Sequence, residues 1–246
     1  NYVRALETGL QRMNDLPISN RLIRELHEIL LGGVRGGDPT KTPGEYRRSQ
    51  NWIGPPGCKL EEATFVPPPP EEMQQAMSEW EKYLHGDSRE PLLVKCALLH
   101  YQFEAIHPFL DGNGRIGRLL ITLFLCSQGG LSQPLLYLSG FFDETRHDYY
   151  RHLLAVSQQG AWREWIEYFL RGVRQQARVA LAHTQALLRL QERLRGVLKQ
   201  DRRPPRAALP ILEDLFRNPI LSIASFCRRT SMTYPTASKG VDFWIA

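Results

Sequence analysis

Apolar residues recur at intervals of three and four along most of the chain, the repeat of an α-helix with one buried side, and the pattern predicts an all-α fold. Val3, Leu6 and Leu10 mark a first helix, and Ser19 or Asn20 caps a second whose buried side holds Leu22, Ile23, Leu26, Ile29 and Leu30. Between residues 32 and 70 the repeat lapses. GGVRGGDPTKTPGEYRRSQNWIGPPG and then VPPPPEE carry too many Gly and Pro for a helix, which suggests an ordered excursion with a short β-hairpin around residues 46–53. Helical spacing returns over residues 71–84, with the proline run as first turn, and over residues 91–106, with Leu93, Ala97, Leu98, Tyr101 and Ala105 as core positions. Residues 113–127 are apolar nearly all round beyond Arg118, so this helix is expected to be the central, buried one. Further helices fit residues 143–158 and 162–199, the latter long enough to break at Gly172 or Gly196.

The stretch 201–210, DRRPPRAALP, reads as a linker. Beyond it, three short helices (residues 210–216, 222–227 and 234–244) with a turn at residues 229–232 suit a helix-turn-helix, although no wing follows. The expected organisation is a large domain over residues 1–200, the linker, and an incomplete helix-turn-helix or winged-helix-like module over residues 211–246.

Composition narrows the class. A chain of 246 residues can bury one large core plus an appendage. Its longest apolar run, Leu119 to Cys126, is too short to cross a bilayer, so no membrane partner is expected. The first residues, NYVRALETGLQRMND, are charged and amphipathic and resemble no signal peptide; they could begin inside a helix. Cys58, Cys96, Cys126 and Cys227 have neither zinc nor redox spacing and are expected to be reduced, buried thiols of a cytoplasmic protein. The net charge of +5 is regional: residues 171–206 hold ten Arg or Lys against Glu192 and Asp201. A solvated helix face explains such a run, and an acidic partner such as nucleic acid is the other reading.

Chemistry concentrates in residues 107–118, HPFLDGNGRIGR. Gly112, Asn113 and Gly114 form a small-residue turn leading into a helix, so successive backbone N–H groups can converge on an anion at the positive end of the helix dipole. No Lys-Ser or Lys-Thr follows the glycines and no strand precedes them, which sets aside Walker A and dinucleotide loops. Arg115 and Arg118, three apart on one helical face, can clamp further phosphate oxygens. Asp111, the loop's only acid, is the kind of lone carboxylate that holds Mg²⁺ together with water and substrate phosphates. His107 can accept a proton from an incoming hydroxyl near neutral pH, while Phe109 is expected to point into the core.

HPFLDGNGRIGR resembles, position by position, the Fic-family motif HPFx[D/E]GNGRxxR. GEYRRSQNWIG with FVPPPPEEM resembles the family's flap and the segment after it, and DETRHDYYRHLLAVSQQGAWREWIEYFL its later helices; residues 211–246 resemble the winged-helix appendage of bacterial members. The resemblance implies a cytoplasmic protein adenylyltransferase that moves AMP from ATP to a Ser, Thr or Tyr hydroxyl of a target protein and releases pyrophosphate. It implies His107 as general base, Asp111 as Mg²⁺ ligand, Gly112, Asn113 and Gly114 as the amide anion hole, and Arg115 and Arg118 as polyphosphate contacts. Asn51, Trp52, Ile53 and Gly54, in a flap over about residues 44–54, would pin the target strand, while Tyr149 and Tyr150 would border the adenine. Ser157 stands where several relatives carry Asn near the base. The family's inhibitory pattern [S/T]xxxE[G/N] does not occur in this sequence, so Arg118 is expected to be free and an inhibitory helix could lie upstream. Alternatives are another phosphate transfer on the same site (other nucleotides, phosphorylation, AMP removal) or a DNA-binding regulator using residues 211–246. Self-modification and a homodimer are also compatible with the family.

Overall fold

A computed structural model describes residues 1–32, 42–87 and 89–245. Eleven α-helices and no β-sheet form among them, in agreement with the all-α expectation, and the chain makes two compact units, residues 1–180 and 181–246. The first unit contains α1 (Tyr2–Arg12), α2 (Asn20–Leu31), α3 (Pro70–His85), α4 (Leu92–Ile106), α5 (Asn113–Ser127), α6 (Leu138–Glu144), α7 (Arg146–Gln159) and the first part of α8 (Trp162–Gln200). No helix among the described residues is long and apolar enough to cross a membrane.

α5 is the central helix. Ile116 and every residue from Leu119 to Leu125 are buried, and α4, α1 and α2 pack around it. Each large apolar side chain so enclosed contributes about 1.5–3 kcal/mol, enough to hold a helix whose first turn carries no capping side chain. On α2, Ser19 caps as expected, its hydroxyl accepting the Leu22 N–H at 3.3 Å. The buried side there is Leu22, Ile23, Leu26, His27, Leu30 and Leu31, with Ile29 at its margin. α3 begins at Pro70, whose missing N–H costs nothing in a first turn.

α4 differs from the sequence expectation in phase. Ala97 and Tyr101 are buried, but Leu93, Leu98 and Ala105 are only half-buried, whereas Leu99, Phe103 and Ile106 are enclosed. Helices lie on more than one side of α4, so its apolar residues do not form one stripe, and His100 and Glu104 are buried among them.

The expected hairpin around residues 46–53 does not form. The only pairing there is one antiparallel bridge between Ile53 and Phe65. The segment is instead tied down by side-chain hydrogen bonds, and Pro55 and Pro56 prevent a regular ladder from extending past the bridge. Of the Gly/Pro-rich excursion expected from residue 32 onward, residues 33–41 lie outside the described residues. α8 runs unbroken through Gly172 and Gly196. Gly172 is needed for contact rather than for a kink, since a Cβ would fall 2.4 Å from the Phe141 ring. α6 was not expected; its seven residues are too few to display a helical repeat. Only Cys96 of the four thiols is buried, and the other three are half-buried.

In the second unit, α9 (Ala208–Arg217), α10 (Ile223–Thr230) and α11 (Tyr234–Ile245) enclose a small core of Ala207, Ile211, Phe226 and Ala237. α9 begins inside the stretch expected to be linker. These three helices lie close to the expected spans, and no strand forms beside them among the described residues.

Candidate active site

Residues 107–112 join α4 to α5, and nearly every carbonyl along this turn is held by a donor. The Arg47 side chain, 1% exposed, donates from Nε to the His107 carbonyl at 3.0 Å, from Nη1 to Ser49 at 3.2 Å, and from Nη2 to Pro68 and, at 3.5 Å, to Ile106. The Arg47 backbone N–H reaches the Pro108 carbonyl at 2.9 Å. Asn51 Nδ2 donates to the carbonyls of Phe109 (3.0 Å) and His107 (3.4 Å). A guanidinium placed on the last carbonyls of α4 meets the negative end of the helix dipole, which offsets part of its burial cost.

The Asn113 side chain closes the turn from inside. Its Oδ1 accepts the Phe109 N–H at 2.8 Å and its Nδ2 donates to the Phe109 carbonyl at 2.7 Å. Phe109 is wholly buried, as expected, and stacks on His27 with ring centroids 3.7 Å apart and planes 7° from parallel. Because Gly44 N–H donates to His27 Nδ1 at 2.9 Å, Nε2 carries the proton and donates to the Asp111 carbonyl, also at 2.9 Å. Burial holds this imidazole below the ordinary histidine range, keeping it in the neutral form that this pair of bonds requires.

Gly112 then turns the chain with φ +83°; a Cβ there would be strained and would lie 3.3 Å from His27 Nε2. With the carbonyls drawn inward, the N–H groups of Asn113, Gly114 and Arg115, which have no carbonyl ahead of them in the helix, form the positive end of α5. The Gly112 N–H is engaged by its neighbour, donating to Asp111 Oδ1 at 2.7 Å. Arg115 lies 3.6 Å from the same oxygen, and the Arg118 guanidinium lies over Gly114, 3.2 Å from where a Cβ would be.

His107 ends α4 in the left-handed conformation, φ 50° and ψ 60°, which swings its ring out of the helical path at the mouth of this turn. Nδ1 sits 3.2 Å from the Glu104 carbonyl and is the protonated nitrogen, since a carbonyl can only accept; Nε2 therefore carries the lone pair. Burial, with Arg47 adding to it, pushes this histidine down to about 4, so the ring is neutral and able to accept a proton at pH 7. The side chains present fit a divalent cation only in one way. Among the described residues no group of three or more His, Cys, Asp or Glu could hold a metal alone, and Asp111 offers a single hard carboxylate beside the positive end of α5.

The remaining sequence-selected residues divide by burial. Tyr149 is 3% exposed, stacks on Phe142 at 4.5 Å and donates its O–H to His100 Nε2 at 2.9 Å. Tyr150 is half-exposed, with the Arg146 guanidinium over its ring. Ser157 lies at the surface of α7, 2.8 Å from the Tyr101 hydroxyl of α4. In the flap, Ile53 carries the bridge to Phe65, Trp52 is largely exposed with Nε1 donating to the Cys58 carbonyl at 3.0 Å, and Gly54 leaves room for Cys58 Sγ.

Three residues that hold this site were not selected from sequence: His27, Arg47 and Glu104. His27 falls on the buried side of the amphipathic α2, where a polar residue in the apolar phase is the signal that marks it; α4 has no single apolar side, so Glu104 carries no such signal. Arg47 stands within GEYRRSQ, where nothing distinguishes it from the exposed Arg48 beside it.

Residues 17–125 match the family model described as Fic/DOC family. Protein adenylyltransferase Fic of Drosophila ananassae is 32% identical over 156 residues, covering 62% of this chain and 27% of that protein. Its namesake in Drosophila yakuba is 30% identical over 165 residues, covering 66% and 29%. The chain thus spans little more than a quarter of these curated relatives. Among solved structures, a Fic family protein from Desulfovibrio desulfuricans superposes with a TM-score of 0.62 at 24% identity, covering 96% of this chain and 64% of that one. Fic-1 of C. elegans superposes with a TM-score of 0.56 at 25% identity, covering 76% and 52%. The α4–α5 turn with its HPFLDGNGRIGR sequence and these matches together identify residues 17–125 as a Fic domain.

Proposed function

We propose that this Fic domain is a protein adenylyltransferase, transferring AMP from ATP to a hydroxyl side chain of a target protein. The observation that carries the reading is the pairing of a neutral His107, its Nε2 lone pair free of the Glu104 contact, with the N-terminal end of α5 flanked by Arg115 and Arg118. In this scheme the triphosphate lies across the first-turn amides, with Arg115 and Arg118 on its β- and γ-phosphates. His107 Nε2 takes the proton of the target hydroxyl as its oxygen bonds the α-phosphorus; the bond from that phosphorus to the β-phosphate bridging oxygen breaks, and pyrophosphate leaves. Asp111 would hold Mg²⁺, which would supply charge neutralisation on the phosphates. The backbone of residues 51–54 offers edge groups to an extended target segment, and Tyr150 is the exposed aromatic available to the base.

The name of the Drosophila relatives, protein adenylyltransferase, supports this assignment over the other transfers that the same site could perform. The test is incubation of the chain and candidate target proteins, itself included, with ATP labelled on either the α- or the γ-phosphate. Protein-bound label from the α position only, lost in His107→Ala, is the expected result. Label retained only from the γ position would make the enzyme a kinase and refute the proposal.

A further inference from the structure

Glu104 is buried against the site without a role in the chemistry above. It is 9% exposed, and its Oε1 makes no hydrogen bond. It lies directly on α5: a Cβ at Gly117 would be 2.3 Å from Oε1, and a Cβ at Gly114 would be 4.0 Å from the same oxygen. That point above Gly114 is also 3.2 Å from Arg118 Nη1, so the carboxyl group and the guanidinium flank the same point of the first turn of α5 without forming an ion pair. Gly117 is what opens this space, since any side chain there would occupy the position of the Glu104 carboxyl.

We infer that Glu104 is a positioning residue that acts through Arg118: without a direct ion pair, its carboxyl balances the guanidinium's charge across the first turn of α5 in the free protein and gives way to the polyphosphate of an arriving nucleotide. The inference rests on the reading of Arg118 as a polyphosphate contact. A carboxylate beside the phosphates repels them, whereas a carboxylic acid does not, so the exchange of partners is coupled to protonation. Two opposed influences set that protonation: burial raises the Glu104 carboxyl and Arg118 lowers it, leaving it at about 7. When phosphate oxygens take the guanidinium's charge, the lowering influence weakens, and Glu104 takes one proton from the buffer to become the neutral acid. The other titratable groups around the pair are Tyr149 of α7, which faces Glu104 and Arg118, Tyr2 of α1, which faces Arg118, and His100 of α4, which also feels Arg118. Burial raises both tyrosines and holds His100 at about 3, so none of them changes charge near neutrality.

The experiment is calorimetric binding of MgATP and of AMP to the native chain, Glu104→Gln and Arg118→Ala, at about pH 6 and about pH 8 and in buffers of different protonation enthalpy. For the native chain, MgATP affinity should fall between the two pH values more than AMP affinity does, with net proton uptake on MgATP binding. Glu104→Gln should bind MgATP roughly three- to tenfold more tightly than the native chain at about pH 8, leave AMP unchanged and lose that part of the proton uptake. A merely structural role would move both nucleotides together and leave the proton count alone, and that result overturns the inference. If Arg118→Ala loses MgATP selectively while Glu104→Gln matches the native chain in affinity and proton uptake, the inference fails and the Arg118 reading stands. If Arg118→Ala leaves MgATP binding unchanged, both fail. Should a variant not fold, the native chain alone is decisive: MgATP binding without proton uptake and without the pH dependence overturns the inference.

Discussion

Replacing Arg47 by Ala tests the claim that one buried guanidinium fastens the residue 46–51 segment to the α4–α5 turn. The side chain donates to the carbonyls of His107, Ser49 and Pro68, with a longer contact to Ile106, and is enclosed by protein. Truncation removes the donor from the Ser49 and Pro68 carbonyls and leaves that of His107 with only the longer Asn51 contact. An unpaired buried acceptor costs about 1–3 kcal/mol. Against this, the variant no longer desolvates a charge, a penalty visible in the lowering of the Arg47 pKa by burial and amounting to several kcal/mol per ion. The acceptor losses and the void outweigh that relief, for a net destabilisation of about 3 kcal/mol, or roughly 6–12 °C in melting temperature for a unit of this size. Arg47→Lys keeps the charge but not the fork of donors, and is expected to recover less than half of the loss. Thermal unfolding followed by circular dichroism reads both variants. An Arg47→Ala protein melting within about 2 °C of the native chain would refute the reasoning. A second readout is independent of stability. Arg47 helps hold the His107 pKa down, so its removal should move the His107 NMR titration upward from about 4.

Three further outcomes follow from the same geometry. Since burial keeps His107 at about 4, the acid limb of the AMP-transfer rate should fall well below the ordinary histidine midpoint of 6.5; a pH–rate profile bending near 6.5 would mean that another base acts. Glu104 has its folded-state pKa raised from 4.5 to about 7, so its contribution to stability is complete below 4.5 and is lost as pH rises through 7. Glu104→Gln should therefore be more stable than the native chain at about pH 8, with the difference shrinking towards pH 4.5 in urea unfolding. Gly117→Ala places a methyl group 2.3 Å from Glu104 Oε1 and 3.2 Å from Phe103 Cδ1. It should cost about 1–3 kcal/mol, and Glu104→Ala in the same chain should relieve part of this, a non-additivity measurable in a double-mutant cycle.

Helix content was the most legible level of this molecule. α5 could be bounded from sequence because Gly112 needs a positive φ before it and the buried run stops at Ser127. The turn between α4 and α5 was legible because Gly112, Asn113 and Gly114 interrupt two helical repeats, and Gly112 takes the positive φ that such a break needs. The scaffold beneath it was not. Arg47, Asn51 and His27 act through hydrogen bonds to backbone carbonyls distant in sequence, and a carbonyl has the same chemistry in every residue, so no pattern of side chains announces that it will be met. The hairpin expected around residues 46–53 failed for the related reason that Arg47 bonds across to Ser49 and Pro68 and leaves the segment a clamp rather than a ladder. α4 misled in phase because a helix packed on more than one side loses the single stripe on which the reading depends.

The capture of carbonyls explains how a turn with little regular structure presents a positive end. An anion near α5 gains from the amides of its first turn only while the carbonyls of the preceding residues point elsewhere, since each peptide unit brings an oxygen dipole with its N–H. Here those of Ile106, His107, Pro108, Phe109 and Asp111 are each taken by a donor of the scaffold: Arg47 through its side chain or backbone, Asn51, Asn113 or His27. These donors come from α2, from the segment before α3 and from α5 itself, so the polarity of the turn depends on elements that are not adjacent in sequence. Loss of one such donor would free a peptide plane to rotate its oxygen towards any anion held at the first turn of α5. The expected signature is weaker binding of every phosphate-bearing nucleotide alike. That separates these scaffold residues from Glu104, whose removal acts on the triphosphate alone.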